Sequence, residues 1–225
     1  MQNSGGRHEL KHYINYADLL QLKSRLSQVT HADKNTLNGD GYRVKSLYFD
    51  NYTDKVLREK IDGVNGREKF RLRLYNDDNS FIRLEKKSKK NGMCFKSNAV
   101  IKKEECEEFL HGNLAVLKEN GHPLLMELYS KMHYQQLRPK NIVDYKRDAY
   151  IFNAGNVRVT IDYDIRTSMN TDSFLQREMI SIPIPEVIIL EVKYDHFLPE
   201  LIRGVVTLSS RNKTAFSKYA ATRII

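Results

Sequence analysis

Residues 69–75 read KFRLRLY and residues 81–90 read FIRLEKKSKK, so cations recur at alternate positions in both stretches. On an extended backbone, side chains two apart share a face. One face of the first stretch carries Lys69, Arg71, Arg73 and Tyr75, and the other carries Phe70, Leu72 and Leu74. The second splits into Phe81, Arg83, Glu85 and Lys87 against Ile82, Leu84 and Lys86. Residues 157–163 set Arg158, Thr160 and Asp162 opposite Val157, Val159 and Ile161, and the first strand groups Arg7, Glu9 and Lys11. Any one such strand suits a half-buried antiparallel sheet with a wet outer face. Together, however, several of the strands each bring two or three cations, often Arg, with a single carboxylate among them. Arginine's planar fork binds phosphate oxygens in pairs, through charge-assisted bonds about twice as strong as neutral ones. Closing such a sheet into a barrel turns these faces inward and leaves the apolar faces to helices outside. Enclosed cations repel one another until an anion of matching length joins them. A linear triphosphate or polyphosphate fits that description better than duplex DNA, which needs an exposed surface.

The elements that must position these residues follow from periodicity. Alternation and β-branched or aromatic content predict strands over 7–14, 42–50, 67–75, 80–88, 93–101, 143–152, 156–163 and 186–194. The segment NDDN at 76–79 makes 67–75 and 80–88 a hairpin. Helices are expected over 16–29, where Leu19, Leu22, Leu26 and Val29 recur at three- and four-residue steps, and over 103–111, 123–137 (opened by Pro123), 197–208 and 213–221. Strand runs with helices between them indicate an α+β fold. No repeat, low-complexity block or Pro/Ser-rich linker is evident, and turns such as NGDG at 38–41 are short, so residues 1–225 read as one domain with a flexible N-terminus over 1–6.

Composition narrows the partners. The chain has 225 residues, 37 Lys plus Arg against 28 Asp plus Glu, and a formal charge of +9, which favours polyanions: nucleic acid, phosphorylated small molecules or an acidic membrane surface. Cys94 falls in a predicted strand and Cys106 in a predicted helix, with no zinc-type spacing, so a reduced cytoplasmic setting is the default. The longest apolar run, ISIPIPEVIIL at 180–190, is interrupted by Pro183, Pro185 and Glu186 and is too short to span a membrane. The start MQNSGGRHELKHY has no apolar core of a secretory signal.

Eight stretches in order, RHELKHY (7–13), YRVKSLYFD (42–50), KFRLRLY (69–75), RLEKK (83–87), VDYKRDAY (143–150), VRVTID (157–162), LEVKY (190–194) and FSKYA (216–220), resemble the polyphosphate polymerase (VTC) domain of the triphosphate tunnel metalloenzymes. The resemblance runs from about Arg7 to the C-terminus. It implies an antiparallel β-barrel forming a basic tunnel, with helices packed outside, that binds ATP or polyphosphate with a divalent cation and moves a γ-phosphate onto a growing phosphate chain. By position, Lys11, Arg71, Arg73 and Lys87 resemble tunnel cations, Arg147 and Arg158 the opposite wall, and Lys218 with Ser217 the phosphate-binding mouth. Glu191 resembles the metal-binding carboxylate, and the alternation adds Lys69 and Arg83 as phosphate-binding residues. The family carries a basic pair on the strand after the Lys87 hairpin, where FKSNAV supplies Lys96 but Asn98 in place of the second cation.

Magnesium or manganese takes oxygen ligands, bridges phosphates and keeps waters, so one firm carboxylate suffices. A salt bridge from Glu191 to Lys193 or to an Arg is the competing assignment for that residue. Phosphoryl transfer relies on positioning and charge neutralisation, with no nucleophilic side chain required. The seven His and two Cys have no triad-like context and are assigned to surface or packing. Three other functions share these residues: a triphosphatase of the same fold, a non-catalytic polyphosphate-binding module, and a nucleic-acid binder. The last needs basic residues on an exposed face with aromatics available for stacking, and the family resemblance argues against it. The family's membrane helices and regulatory domain have no counterpart in this sequence, and a separate membrane partner stays open.

Overall fold

The computed structural model describes residues 7–33, 36, 41–208, 214 and 216–223. The expected flexible N-terminus 1–6, residues 38–40 of the NGDG turn and positions 213 and 215 of the last predicted helix lie outside the described residues. In chain order the first elements are β1 (His8–Ile14), α1 (Tyr16–Val29), β2 (His31–Ala32), β3 (Tyr42–Asp50), α2 (Lys55–Ile61), β4 (Arg67–Tyr75), β5 (Ile82–Lys90) and β6 (Met93–Ile101). They are followed by α3 (Lys103–Leu110), α4 (Ala115–Glu119), α5 (Pro123–Tyr134), β7 (Arg138–Phe152), β8 (Val157–Ser168), β9 (Ile182–Pro183), β10 (Ile188–Tyr194), α6 (Glu200–Val206) and α7 (Lys218–Ala221). Contacts group them into two compact units: Met1–Arg43, Tyr145–Ile165 and Pro183–Phe216 form the first, and Val44–Asp144, Arg166–Ile182 and Ser217–Ile225 the second.

In the first unit the strand order is β1-β10-β8-β7. Antiparallel register sets Lys11 opposite Glu191 and Glu9 opposite Lys193, and on the other side of β10 it sets Thr160 opposite Glu191 and Arg158 opposite Lys193. Helix α1 begins where Asn15 and Asp18 cap each other's backbone N–H groups. Its stripe of Leu19, Leu22 and Leu26 packs with Val157, Val159, Ile161, Leu190 and Val192 and with Ile202 of α6. Burial of each such side chain stabilises the unit by about 1.5–3 kcal/mol.

In the second unit the order is β7-β3-β4-β5-β6. Leu47, Phe49, Phe70, Leu72, Leu74, Ile82 and Leu84 form its apolar face and pack on Phe109 of α3, Leu117 of α4 and Leu125 and Leu128 of α5. Cys106 joins this core, and burial, with Glu107 nearby, pushes its thiol up to about 12. That thiol is inert packing. Lys45 interrupts the apolar side of β3: it is 1% exposed, with its ammonium 2.6 Å from Asp77 Oδ1 and 2.6 Å from the Gln176 carbonyl oxygen.

Elements depart from the sequence expectation where tertiary contacts set their ends. β5 starts at Ile82 rather than 80 because Asp78 Oδ1 accepts from the Ser80 N–H and hydroxyl and holds Ser80 in the turn, after Asn76 and Asp77 at positive φ. α5 ends at Tyr134 rather than 137, with Gln136 at φ 53, and α6 starts only after Pro199. Helix α2 is absent from the sequence reading. Asp54 at its N-cap makes no side-chain cap; Asp50 at the end of β3 accepts instead from the Val56 and Leu57 N–H groups, while Tyr219 donates to the same carboxylate at 2.5 Å. Among the described residues no helix is long and apolar enough to cross a membrane.

Candidate functional site

The polar face of β3–β6 in the second unit is laid out by its register. Lys69 lies opposite Lys87, and Lys87 opposite Lys96. In the next row Arg71 stands between Tyr48 and Glu85, with Asn98 beyond, and in the third Arg73 stands between Ser46 and Arg83. Arg71 donates to Glu85 Oε2 through Nε at 2.7 Å and lies 2.6 Å from it through NH2, while Arg73 NH1 is 3.5 Å from the same oxygen. Arg73 Nε donates to Ser46 Oγ at 3.2 Å, and Arg71 NH1 to the Tyr48 hydroxyl at 3.1 Å. The Arg83 guanidinium sits 4.9 Å from the Phe81 ring centroid.

Six cations thus share this face with Glu85, and three of them, Arg71, Arg73 and Arg83, act on its carboxylate. Like charges directly opposite on neighbouring strands are destabilising, so three lysines abreast form a face that an anion would stabilise. Burial pushes the Glu85 carboxyl up, but Arg73, Arg71 and Arg83 outweigh this and hold it at about 2. A depressed folded-state value stabilises the fold above the ordinary carboxylate range, and that contribution is lost as pH falls from about 4.5 through about 2. Denaturant midpoints measured across that window should fall more steeply for the wild type than for Glu85→Gln. Parallel curves would remove Glu85 from the ionic network.

The first unit holds the other predicted residues. Lys11 lies 2.5 Å from Glu9 and 3.1 Å from Glu191, and Lys193 bonds Glu191 and lies 3.7 Å from Glu9, closing a ring of two acids and two lysines. Glu191 is 9% exposed. Burial pushes its carboxyl up, but Lys193 and Lys11, with Arg147, hold it far below the ordinary carboxylate range. Arg147 forks onto Asp162, with Nε to Oδ1 at 2.6 Å and NH2 to Oδ2 at 2.7 Å. Arg158 NH2 reaches Asp33 Oδ2 at 2.9 Å and donates to the Tyr42 hydroxyl at 2.9 Å.

Among the described residues no group of three or more His, Cys, Asp or Glu side chains could cage a metal. A magnesium-type cation takes one or two carboxylates and otherwise water and phosphate oxygens, and Glu191 and Glu9 stand side by side in this ring with their oxygens shared by Lys11 and Lys193.

The predicted residues therefore fall into two sets. Lys69, Arg71, Arg73, Arg83, Lys87 and Lys96 share one sheet face, and Ser217 and Lys218 stand at the start of α7 in the same unit, where Ser217 Oγ accepts from the Ala220 N–H. Lys11, Arg147, Arg158 and Glu191 lie on β1, β7, β8 and β10. Sequence reasoning missed the neutral and acidic partners, Tyr48 and Ser46 beside the arginines, Asp33 and Tyr42 on Arg158, and Glu9 beside Glu191, whereas the salt bridge from Glu191 to Lys193 is the competing assignment it named. Tyr48 and Ser46 lie two apart on one face of YRVKSLYFD, a signal that alternation alone carries without saying what they touch.

The VTC domain family matches residues 6–224. The chain belongs to the VTC domain family. None of the curated proteins matches it. Among solved structures, a candidate adenylyl cyclase from Hippeastrum with a dominant triphosphatase activity is similar at TM-score 0.56 and 14% identity, over 96% of this chain and 94% of that one. A candidate adenylate cyclase from Bacillus halodurans has TM-score 0.49 at 14% identity over 84% and 81% of the two chains. A Pyrococcus horikoshii protein has TM-score 0.46 at 12% identity over 89% and 84%. This VTC domain has the α+β antiparallel fold of the triphosphate tunnel metalloenzymes, with helices against the apolar strand faces.

Proposed function

We propose that this VTC-domain protein, one domain over residues 1–225, is a cytoplasmic, metal-dependent phosphotransferase that binds ATP or polyphosphate and transfers the γ-phosphate to a growing polyphosphate chain. The observation that supports it most is the register row Lys69, Lys87 and Lys96 beside the Arg71–Glu85–Arg73 cluster, a face built for chained phosphates. In this reading a terminal oxygen of the acceptor chain attacks the γ-phosphorus, its bond to the β-phosphate bridging oxygen breaks, and ADP leaves with that electron pair. Arg71, Arg73 and Lys87, with Arg147 and Arg158, neutralise the charge that spreads over the transferring group. Lys11, Lys69, Arg83, Lys96, Ser217 and Lys218 hold further phosphate oxygens, and no side chain acts as nucleophile. Glu191, with Glu9 beside it, would hold the manganese or magnesium ion, which when bound supplies further neutralisation of phosphate charge. Nucleic acid is not a ligand in this reading.

Hydrolysis is the second reading, favoured by the triphosphatase activity of the Hippeastrum protein of similar fold. It uses the same cations and delivers water in place of the acceptor phosphate. Incubation with ATP and manganese, with products resolved as long-chain polyphosphate, free phosphate or unchanged ATP, separates the two. Chains that lengthen, and cease to lengthen when a chelator removes the metal, are the expected result. Free phosphate alone would establish the hydrolase, and no turnover with any divalent cation would leave a binding module.

A further inference from the structure

Tyr48 lies on β3 directly opposite Arg71 and is 3% exposed. Its hydroxyl oxygen accepts from Arg71 NH1 at 3.1 Å, yet among the described residues the hydroxyl donates to no acceptor. Its surroundings are cationic. From β4 come the Lys69 ammonium, 5.5 Å from the ring centroid, the Arg71 guanidinium at 5.9 Å, and Arg73. Glu85 of β5 is turned to the two arginines. From α7 comes the Tyr219 ring at 5.1 Å, whose hydroxyl is committed to Asp50 of Tyr48's own strand.

A buried hydroxyl that receives a donor and has nothing to donate to is an exception that calls for a ligand or for ionisation. Burial pushes the Tyr48 phenol up, but Arg71, Lys69 and Arg73 more than offset this and bring it down to about 7.

We propose that Tyr48 is a further phosphate-chain-binding residue, which gains a proton from solvent as a chain binds on Arg71 and Arg73 and donates that proton as a hydrogen bond to a phosphate oxygen. The proposal rests on the phosphate-binding reading of those two arginines. A chain laid on them brings negative charge beside the phenolate and raises its proton affinity. Below about pH 7 the phenol is already protonated and binding takes up nothing at this site. Above it each bound chain draws in a proton, so affinity falls by up to about tenfold per pH unit.

Tripolyphosphate titrated without metal into the wild-type protein, at about pH 8 where the phenol is mostly ionised, should bleach the ultraviolet tyrosinate band in step with binding. Tyr48→Phe should bind tripolyphosphate with no change in that band, and its affinity should lack the decline above about pH 7. Binding that leaves the wild-type band unmoved overturns the role of Tyr48 while leaving Arg71 and Arg73 as phosphate ligands. A Tyr48→Phe pH profile matching the wild type does the same. No tripolyphosphate binding at any pH overturns both this proposal and the reading it rests on.

Discussion

Arg71→Ala should lower kcat/KM for metal-dependent ATP turnover by about 10²–10³-fold, the loss typical of removing one preorganised donor from developing charge. Arg71 is the centre of its row: one guanidinium reaches Glu85 at 2.6 and 2.7 Å and Tyr48 at 3.1 Å, so its fork is fixed before any ligand arrives. Fixed donors need no reorganisation as charge develops, which is why the effect is large. Arg71→Lys separates charge from geometry. It keeps the charge but not the planar fork, and should recover no more than about tenfold of the loss, since Arg and Lys are not interchangeable at a two-pronged site. Steady-state kinetics with ATP and manganese, alongside tripolyphosphate affinity, measure both. Turnover in Arg71→Ala within about twofold of wild type, less than RT ln 10 in free energy, would place the chemistry away from this face.

Glu191→Gln should cut metal-dependent turnover by about 10²-fold or more while tripolyphosphate binding without metal is retained or tightened. The sign of the second effect follows from the ring it belongs to. Lys11 and Lys193 both bond Glu191, and without its charge they have Glu9 alone, so the local field becomes more positive. The same loss should cost about 1–3 kcal/mol of stability, below that of a fully buried pair because both lysines remain partly hydrated. If Glu191 were only a structural partner of Lys193, the stability loss would appear and the metal dependence of turnover would not change. Activity titrated with manganese in wild type and variant distinguishes these outcomes.

Much of the fold is legible because its signals are local. KFRLRLY alternates strictly, and Phe70, Leu72 and Leu74 are buried as the alternation requires. The leucine stripe of α1, with Asn15 and Asp18 at its start, encodes that helix over Tyr16–Val29. The exceptions have causes outside the element itself. Helix α2 carries no local cap because its cap is Asp50. Lys45 breaks the apolar side of β3 because Asp77 and Gln176, far along the chain, receive its charge.

The sequence by itself determined which residues alternate, which faces collect arginine and lysine, and, through eight ordered motifs, the family. Those properties depend on the backbone period of two and on residue type, and neither requires knowing what lies alongside. Only the tertiary structure decided what each charge touches. Strand register, which a linear pattern does not specify, sets Lys69, Lys87 and Lys96 abreast, puts Glu85 and Tyr48 on either side of Arg71, and closes Glu191 into a ring with Glu9 and two lysines. A slip of one residue would turn every one of those side chains to the opposite face, so the ionic partnerships are properties of pairing rather than of sequence.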